Sequence, residues 1–204
     1  MKRWLSLLLL PLLGACGYNR IQTLDEQANS AQSQIEVQLQ RRADLVPNLV
    51  NTVKGYAQHE EEVFTRVAEA RSGLVNAIKS GDAEQMANAN AALSTQLSRL
   101  MVQVEAYPQL KADQGFLRLQ DELTGTENRI AVARNDYNQA VNAYNALIRQ
   151  FPTVITAKLT GAKPRKYFTA NENATGAPPT VDFSKPASPA APATPPISPA
   201  PKTP

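Results

Sequence analysis

Residues able to do covalent or acid–base chemistry are scarce in this chain, which has one cysteine, Cys16, and one histidine, His59, in 204 residues. A di-metal centre in a helical bundle draws on carboxylates and two histidines in Glu-x-x-His pairs, and a zinc helix needs a second histidine one turn from the first. The run His59-Glu60-Glu61-Glu62 supplies neither pattern. Hydrolysis through a nucleophile needs a serine or cysteine beside a positioned base. His59 has no obvious mate for that work and reads as a solvent-facing or capping residue. The sequence therefore predicts no cofactor, no metal and no catalysis.

Cys16 stands where another chemistry is available. Lys2 and Arg3 open the chain with positive charge, and Trp4 to Leu13 is apolar apart from Ser6 and Pro11. A run of about ten apolar residues is too short to cross a hydrocarbon core, which needs roughly 20. Residues 1–15 thus read as a cleavable export signal. Leu13-Gly14-Ala15-Cys16 resembles a lipobox, in which small residues fit a peptidase cleft and the cysteine sulfur is alkylated by a diacylglycerol. Cleavage would leave Cys16 as the first mature residue, tethered to a membrane by acyl chains worth about 0.8 kcal/mol per buried methylene. Acylation also accounts for a lone thiol in an exported chain, where no internal disulfide is possible. An ordinary secretory signal or an uncleaved anchor would leave that thiol unexplained. Gly17 follows the cysteine where an Asp would signal inner-membrane retention, which in a Gram-negative cell favours the periplasmic face of the outer membrane.

The other end has no chemistry of this kind. From Gly176 to Pro204 the sequence is nearly all Pro, Ala, Thr and Ser. Residues 171–204 lack the apolar side chains that would offset the entropy of ordering, so a disordered, partly polyproline tail is expected. Basic residues number 21 against 18 acidic, and loss of Lys2 and Arg3 with the signal leaves a mature charge near +1. Nucleic acid binding, which calls for a clustered basic surface, is not indicated.

The elements that must position any functional side chain lie between, in residues 16–170. Only Pro47 and Pro108 interrupt the stretch from Tyr18 to Phe151, and Ala, Leu, Gln, Asn, Glu and Arg dominate it. Phe116, Leu123, Ile130, Tyr137, Tyr144 and Phe151 recur every seven residues, with Leu119, Thr126, Ala133, Ala140 and Leu147 three places on. That seam predicts a long packed helix over about Asp113 to Gln150. A rougher seam through Ile21, Leu24, Ala28, Ala31, Ile35, Leu45, Leu49 and Tyr56 predicts a second long helix, Asn19 to Ala57. Pro47 is expected to kink it or start a new helix, because it removes the bond to the Ala43 carbonyl at a cost of about 3 kcal/mol. Two shorter helices follow from the stripes Val63, Val67, Ala70, Leu74, Ile78 and Met86, Leu93, Leu97, Leu100, Val104. Gly81 suits a left-handed stop between them, and Asp82 with Gln85 resembles a capping box.

Short connections make neighbouring helices antiparallel. The expected fold is all-α: an antiparallel four-helix bundle with two long outer helices and a shorter central hairpin. Near the membrane the two long helices would form a thinner stalk. The turns at Tyr56 to Glu60 and Glu105 to Lys111 would meet at the distal tip, which makes Tyr56, His59, Glu60, Tyr107 and Lys111 candidates for binding a partner. Arg42 falls in a core slot, where Asp44, Asn48, Glu105, Glu127 and Arg134 could surround it. Such a network either fixes helix register or forms a recognition surface. Tyr137 and Tyr144 read as seam residues, and Asn138 and Asn145 as groups that bond neighbouring helices or water.

Several of these runs together resemble the LemA family. They are Arg41-Arg42-Ala43-Asp44-Leu45-Val46-Pro47-Asn48-Leu49-Val50, Val53-Lys54-Gly55-Tyr56-Ala57 with His59-Glu60, and Glu105-Ala106-Tyr107-Pro108-Gln109-Leu110-Lys111. Leu119-Gln120, Glu122-Leu123, Glu127-Asn128-Arg129-Ile130-Ala131, Ala133-Arg134, Tyr137-Asn138, Tyr144-Asn145 and Phe151-Pro152 follow in order, and Tyr167-Phe168 fits the family's closing element. The resemblance spans residues 18–168. It implies an extracytoplasmic, membrane-anchored helical bundle without established catalytic activity, working beside other envelope proteins. The family commonly carries an N-terminal spanning helix, where this chain has a lipobox.

Overall fold

The structure is a computed structural model that describes the backbone of residues 2–57 and 61–170, with side chains from residue 17 onward. The side chain of Cys16, His59 and Glu60 of the expected tip, and the tail from residue 171 lie outside the described residues. The fold is all-α: α1 (Lys2–Lys54), α2 (Glu61–Ser80), α3 (Ala83–Val104), α4 (Pro108–Lys111), α5 (Gln114–Leu147) and α6 (Thr153–Thr160), then a non-helical segment over 162–170. Among the described residues, no helix is long and apolar enough to cross a membrane.

The expected restart at Pro47 does not occur, and α1 continues through it to Lys54. A proline leaves the carbonyl four residues earlier without its helical donor. Here that carbonyl, on Ala43, accepts a 2.7 Å hydrogen bond from Arg71 Nε on α2. The neighbouring helix replaces the missing bond and is fixed in register by it. At the other long helix, Asp113 caps the first turn by accepting from Phe116 N at 2.8 Å. That helix ends at Leu147, three residues short of the expected Gln150. Pro152 disfavours helical geometry in the residue before it. Phe151 therefore leaves the heptad seam and is 82% exposed.

α1 and α5 run antiparallel along most of their length. Tyr56 meets Asp113 at one end, Arg42 meets Glu127 midway, and Ile21 and Leu24 pack with Tyr144 and Ile148 at the other. The α2–α3 hairpin lies on the distal part of this pair. Its turn holds Gly81 at φ +67°, where a side chain would be strained, and Gln32 Nε2 of α1 donates to the Gly81 carbonyl at 2.9 Å. Gln32 stands about 22 Å along α1 from Gly17 at 1.5 Å per residue. Beyond that level, among the described residues, only α6 and the segment after it accompany the two long helices. The buried apolar residues divide accordingly. A large cluster fills the distal part, and a small one of Ile21, Leu24, Tyr144, Ile148 and Ala157 holds the proximal end.

Candidate functional site

Arg42 is 5% exposed and turns its guanidinium toward α3 and α5. Its Nη1 donates to Asn90 Oδ1 and pairs with Glu127 Oε2, each at 2.5 Å, while its Nε has no hydrogen-bond partner among the described residues. Burial pushes the guanidinium below its ordinary pKa, and the Glu127 carboxylate opposes that shift. The arrangement joins three helices through one charge, since Asn90 is on α3 and Glu127 on α5.

Of the five residues expected around this arginine, the structure places only Glu127 in contact with it. Asp44 is exposed and accepts from Gln40 Nε2 at 2.8 Å. Asn48 is exposed on the same helix. Two and six residues from Arg42 correspond to about 200° and 240° of helical rotation, which points both away from it. Glu105 lies near the tip and pairs with Lys111 Nζ at 2.6 Å. Arg134, seven residues beyond Glu127, is displaced by about 10.5 Å along α5. It lines a groove of about 350 Å³ between α3 and α5 with Asn90, Glu127 and Phe168. The missing third member is Asn90, whose signal was available: it lies four residues after Met86 and three before Leu93, on the apolar stripe of its own helix.

At the distal end, Tyr56 is 41% exposed and its hydroxyl donates to Asp113 Oδ2 at 3.2 Å. That bond raises the tyrosine pKa, while the Phe116 N–H lowers that of Asp113. Tyr107 is half-buried against the main core, and Lys111 is exposed in the turn that α4 forms. Tyr56, Tyr107 and Lys111 thus lie at one end of the molecule. Among the described residues, no three His, Cys, Asp or Glu side chains form a group that could hold a metal ion.

The most ordered polar geometry involves the segment after α6. Asn145 accepts from Arg165 N at 2.8 Å and donates to the Arg165 carbonyl at 2.9 Å. Asn138 does the same for Phe168, at 2.8 and 3.3 Å. Each carboxamide thus satisfies both backbone groups of one extended residue. The register follows from two rises: seven helical residues advance about 10.5 Å and three extended residues about 10 Å. Tyr137 adds a bond from its hydroxyl to the Lys166 carbonyl at 2.9 Å. Arg165 Nε reaches Asp25 of α1 at 2.7 Å, which raises the guanidinium pKa, and its guanidinium carbon lies 5.8 Å from the Tyr144 ring centroid. Lys166 Nζ contacts Asp82 at 3.0 Å and Glu84 at 3.3 Å at the start of α3. Phe168 is buried in the main core. The segment is a strap that ties α5, α1 and the hairpin together. The Asn138 and Asn145 pair therefore grips chain backbone, where the sequence suggested helices or water.

Comparison with known proteins finds a family and several relatives. The LemA family model matches residues 31–183. Two magnetosome proteins of Paramagnetospirillum magneticum, MamQ 1 and MamQ 2, are each 29% identical over 187 residues, covering 80% of this chain and 68% of each relative. Magnetosome protein MamQ of Magnetospirillum gryphiswaldense is 28% identical over the same length. Protein LemA of Metamycoplasma hominis is 24% identical over 140 residues, 69% of this chain and 63% of that protein.

Proposed function

The chain belongs to the LemA family, and we propose that it is a lipid-tethered scaffold of the bacterial envelope that presents its distal tip to another envelope protein. The observation that carries this reading is the polarity of α1. One helix runs unbroken from beside Cys16 to Lys54, about 57 Å at 1.5 Å per residue. The signal-like residues lie at one end, and the end with Tyr56, Tyr107 and Lys111 lies at the other. Arg42, the strap and the Arg71 bond stiffen the body between, so a tether at Cys16 holds the tip at a set height. The role is one of binding and positioning, without catalysis.

Two measurements test it. Mass spectrometry of protein extracted from membranes should show a chain beginning at Cys16 and carrying acyl groups, and Cys16→Ser should abolish that modification. An unmodified thiol would end the lipid-tether reading. Photo-cross-linkers at positions 56 and 107 should give an adduct of one defined mass in cells, which persists when the tail from residue 171 is deleted. An alternative, a spacer between membrane and cell wall, draws on the Pro-rich composition of Gly176 to Pro204. It requires the reverse pattern, with adducts from the tail and none from the tip.

A further inference from the structure

Helix α6 is amphipathic in the wrong sense for a helix at the edge of a water-soluble bundle, where the large apolar side chains should face inward. Its inward face is small. Thr156 Oγ1 and Thr153 Cγ2 lie 3.5 and 3.8 Å from where a Cβ would stand on Gly17, and Ala157 is buried with Ile21, Leu24 and Tyr144. Its outward face is large and apolar. Ile155 and Leu159, one turn apart, are 53% and 83% exposed, and Phe151 in the turn leading into the helix is 82% exposed.

Position and charge indicate what covers this face. α6 packs beside Gly17, one residue from Cys16, the position at which the proposed lipid enters the membrane. Between Asp136 and Glu172 the sequence has five basic residues and no acidic one. Arg165 and Lys166 are engaged with Asp25, Asp82 and Glu84. Arg149, Lys158 and Lys163 make no ion pair among the described residues and are exposed. Apolar side chains rimmed by free cations match an anionic lipid surface, with side chains at the acyl boundary and cations at the headgroups. A stable protein–protein interface buries about 1,200–2,000 Å² in all, far more than three side chains offer.

We propose that the outer face of α6, formed by Phe151, Ile155 and Leu159 and rimmed by Arg149, Lys158 and Lys163, rests on the anionic surface of the membrane that holds the N-terminal end. This rests on the tether reading above and adds to it a second point of attachment. One anchor fixes location; two points also fix tilt, and therefore the direction in which the tip faces.

The test uses the full-length chain, purified from membranes and reconstituted in vesicles of phosphatidylglycerol and phosphatidylethanolamine. A nitroxide is placed at Ile155→Cys, Leu159→Cys or Phe151→Cys, with Val102→Cys, 70% exposed on α3, as the aqueous control. The ratio of collisions with oxygen to collisions with a water-soluble nickel chelate should be several-fold higher at 151, 155 and 159 than at 102. Adding Ile155→Glu and Leu159→Glu to the position-151 protein should bring its ratio down to the control value, with the thermal melt unchanged. A ratio at 155 and 159 equal to that at 102 places the face in water and overturns the proposal. Low collision rates with both reagents mean protein cover and overturn it too. Failure of the tether is seen separately, as a chain that does not float with the vesicles or has an unmodified Cys16.

Discussion

The distal and proximal halves of the molecule solve one problem by different means. In the distal half α1, α2, α3 and α5 surround a common core, and Leu39, Leu49, Leu74, Met86, Leu93 and Leu100 are almost wholly buried. In the proximal half two long helices run with one short helix, and the buried cluster shrinks to Ile21, Leu24, Tyr144, Ile148 and Ala157. Hydrophobic stabilisation scales with area removed from water, so the proximal half has less of it. There the strap supplies what further helices would have supplied, through backbone hydrogen bonds to Asn138 and Asn145 and the Arg165–Asp25 pair. Apolar packing holds the distal half, and a specific polar inlay holds the proximal one.

The largest expected effect is in the distal half. Removing one partner of a buried charge pair costs far more than removing the charge itself, because a solitary buried ion remains. Glu127→Ala leaves Arg42 enclosed with Asn90 alone and should cost about 3 kcal/mol, somewhat reduced because Glu127 is partly solvated. Arg42→Met frees a carboxylate that water can reach and should cost about 1 kcal/mol, chiefly for the stranded Asn90. Urea unfolding measures both. Loss of folding in Arg42→Met would instead mark the arginine as a device that fixes helix register. Retained stability with lost cross-linking at the tip would make it a recognition residue.

Phe168 is where the halves are joined, since its ring is buried in the distal core while its backbone is held by Asn138. Phe168→Ala should cost about 2 to 3 kcal/mol if the cavity persists. The strap has a cheaper response, which is to detach. Hydrogen exchange should therefore show the Arg165 and Phe168 amides losing protection well before the amides of α2. Simultaneous loss across the molecule would mean that the two halves unfold as one unit.

Within the proximal half, Asn145→Asp keeps the shape but replaces the amide donor with an acceptor facing the Arg165 carbonyl. A loss of about 1–2 kcal/mol is expected, confined to the strap and α6. The same substitution at the exposed Asn135 gives the baseline, and equal losses at the two positions would deny the clamp any special role.

Much of this was legible in the sequence, and the parts that were not share a cause. The seven-residue seam from Phe116 to Tyr144 and the stripe from Ile21 to Tyr56 located the long helices, because burial against other helices imposes a period. Arg42 stood out as a charge in an apolar register, and Glu127 was among its expected partners. Asn90 occupies the same kind of slot, but an Asn among alanines reads as surface. The strap has no period to betray it: an extended segment held through its backbone can have almost any side chains. Its trace was indirect, in Asn138 and Asn145 at the spacing of two helical turns. α6 was hidden for another reason, as Thr153-Val154-Ile155-Thr156 is β-branched throughout and reads poorly as helix.

Acid should probe the link between strap and hairpin. Backbone donation from Gln85 first, and Lys166 second, hold the Asp82 carboxyl below its ordinary pKa. A carboxyl depressed in the folded state contributes stability above its unfolded value of about 3.9 and loses that contribution as pH falls through its folded value. Protection factors of the strap amides should therefore be flat from about pH 8 to 5 and fall only below about pH 4. A midpoint near pH 6 would point to a different group. Lys166→Ala should make the strap weaker at neutral pH and remove most of its acid transition, because the Gln85 bond belongs to the cap of α3 and not to the strap.

The smallest effect belongs to the tip. Tyr56 and Asp113 meet at the surface, and exposed polar contacts of this kind contribute little because water competes for both partners. Tyr56→Phe removes one hydroxyl bond, keeps the ring and leaves Asp113 still capping α5 through Phe116 N. Its cost should be under about 0.5 kcal/mol, within the error of an unfolding curve. That near-silence makes the substitution informative. A residue whose removal barely affects stability has its hydroxyl free to serve recognition, so loss of the tip cross-link in Tyr56→Phe would reflect binding and not folding. A cost above 1 kcal/mol would instead make the tip a structural clasp between α1 and α5, the distal equivalent of the strap, and the contrast between the two halves would narrow.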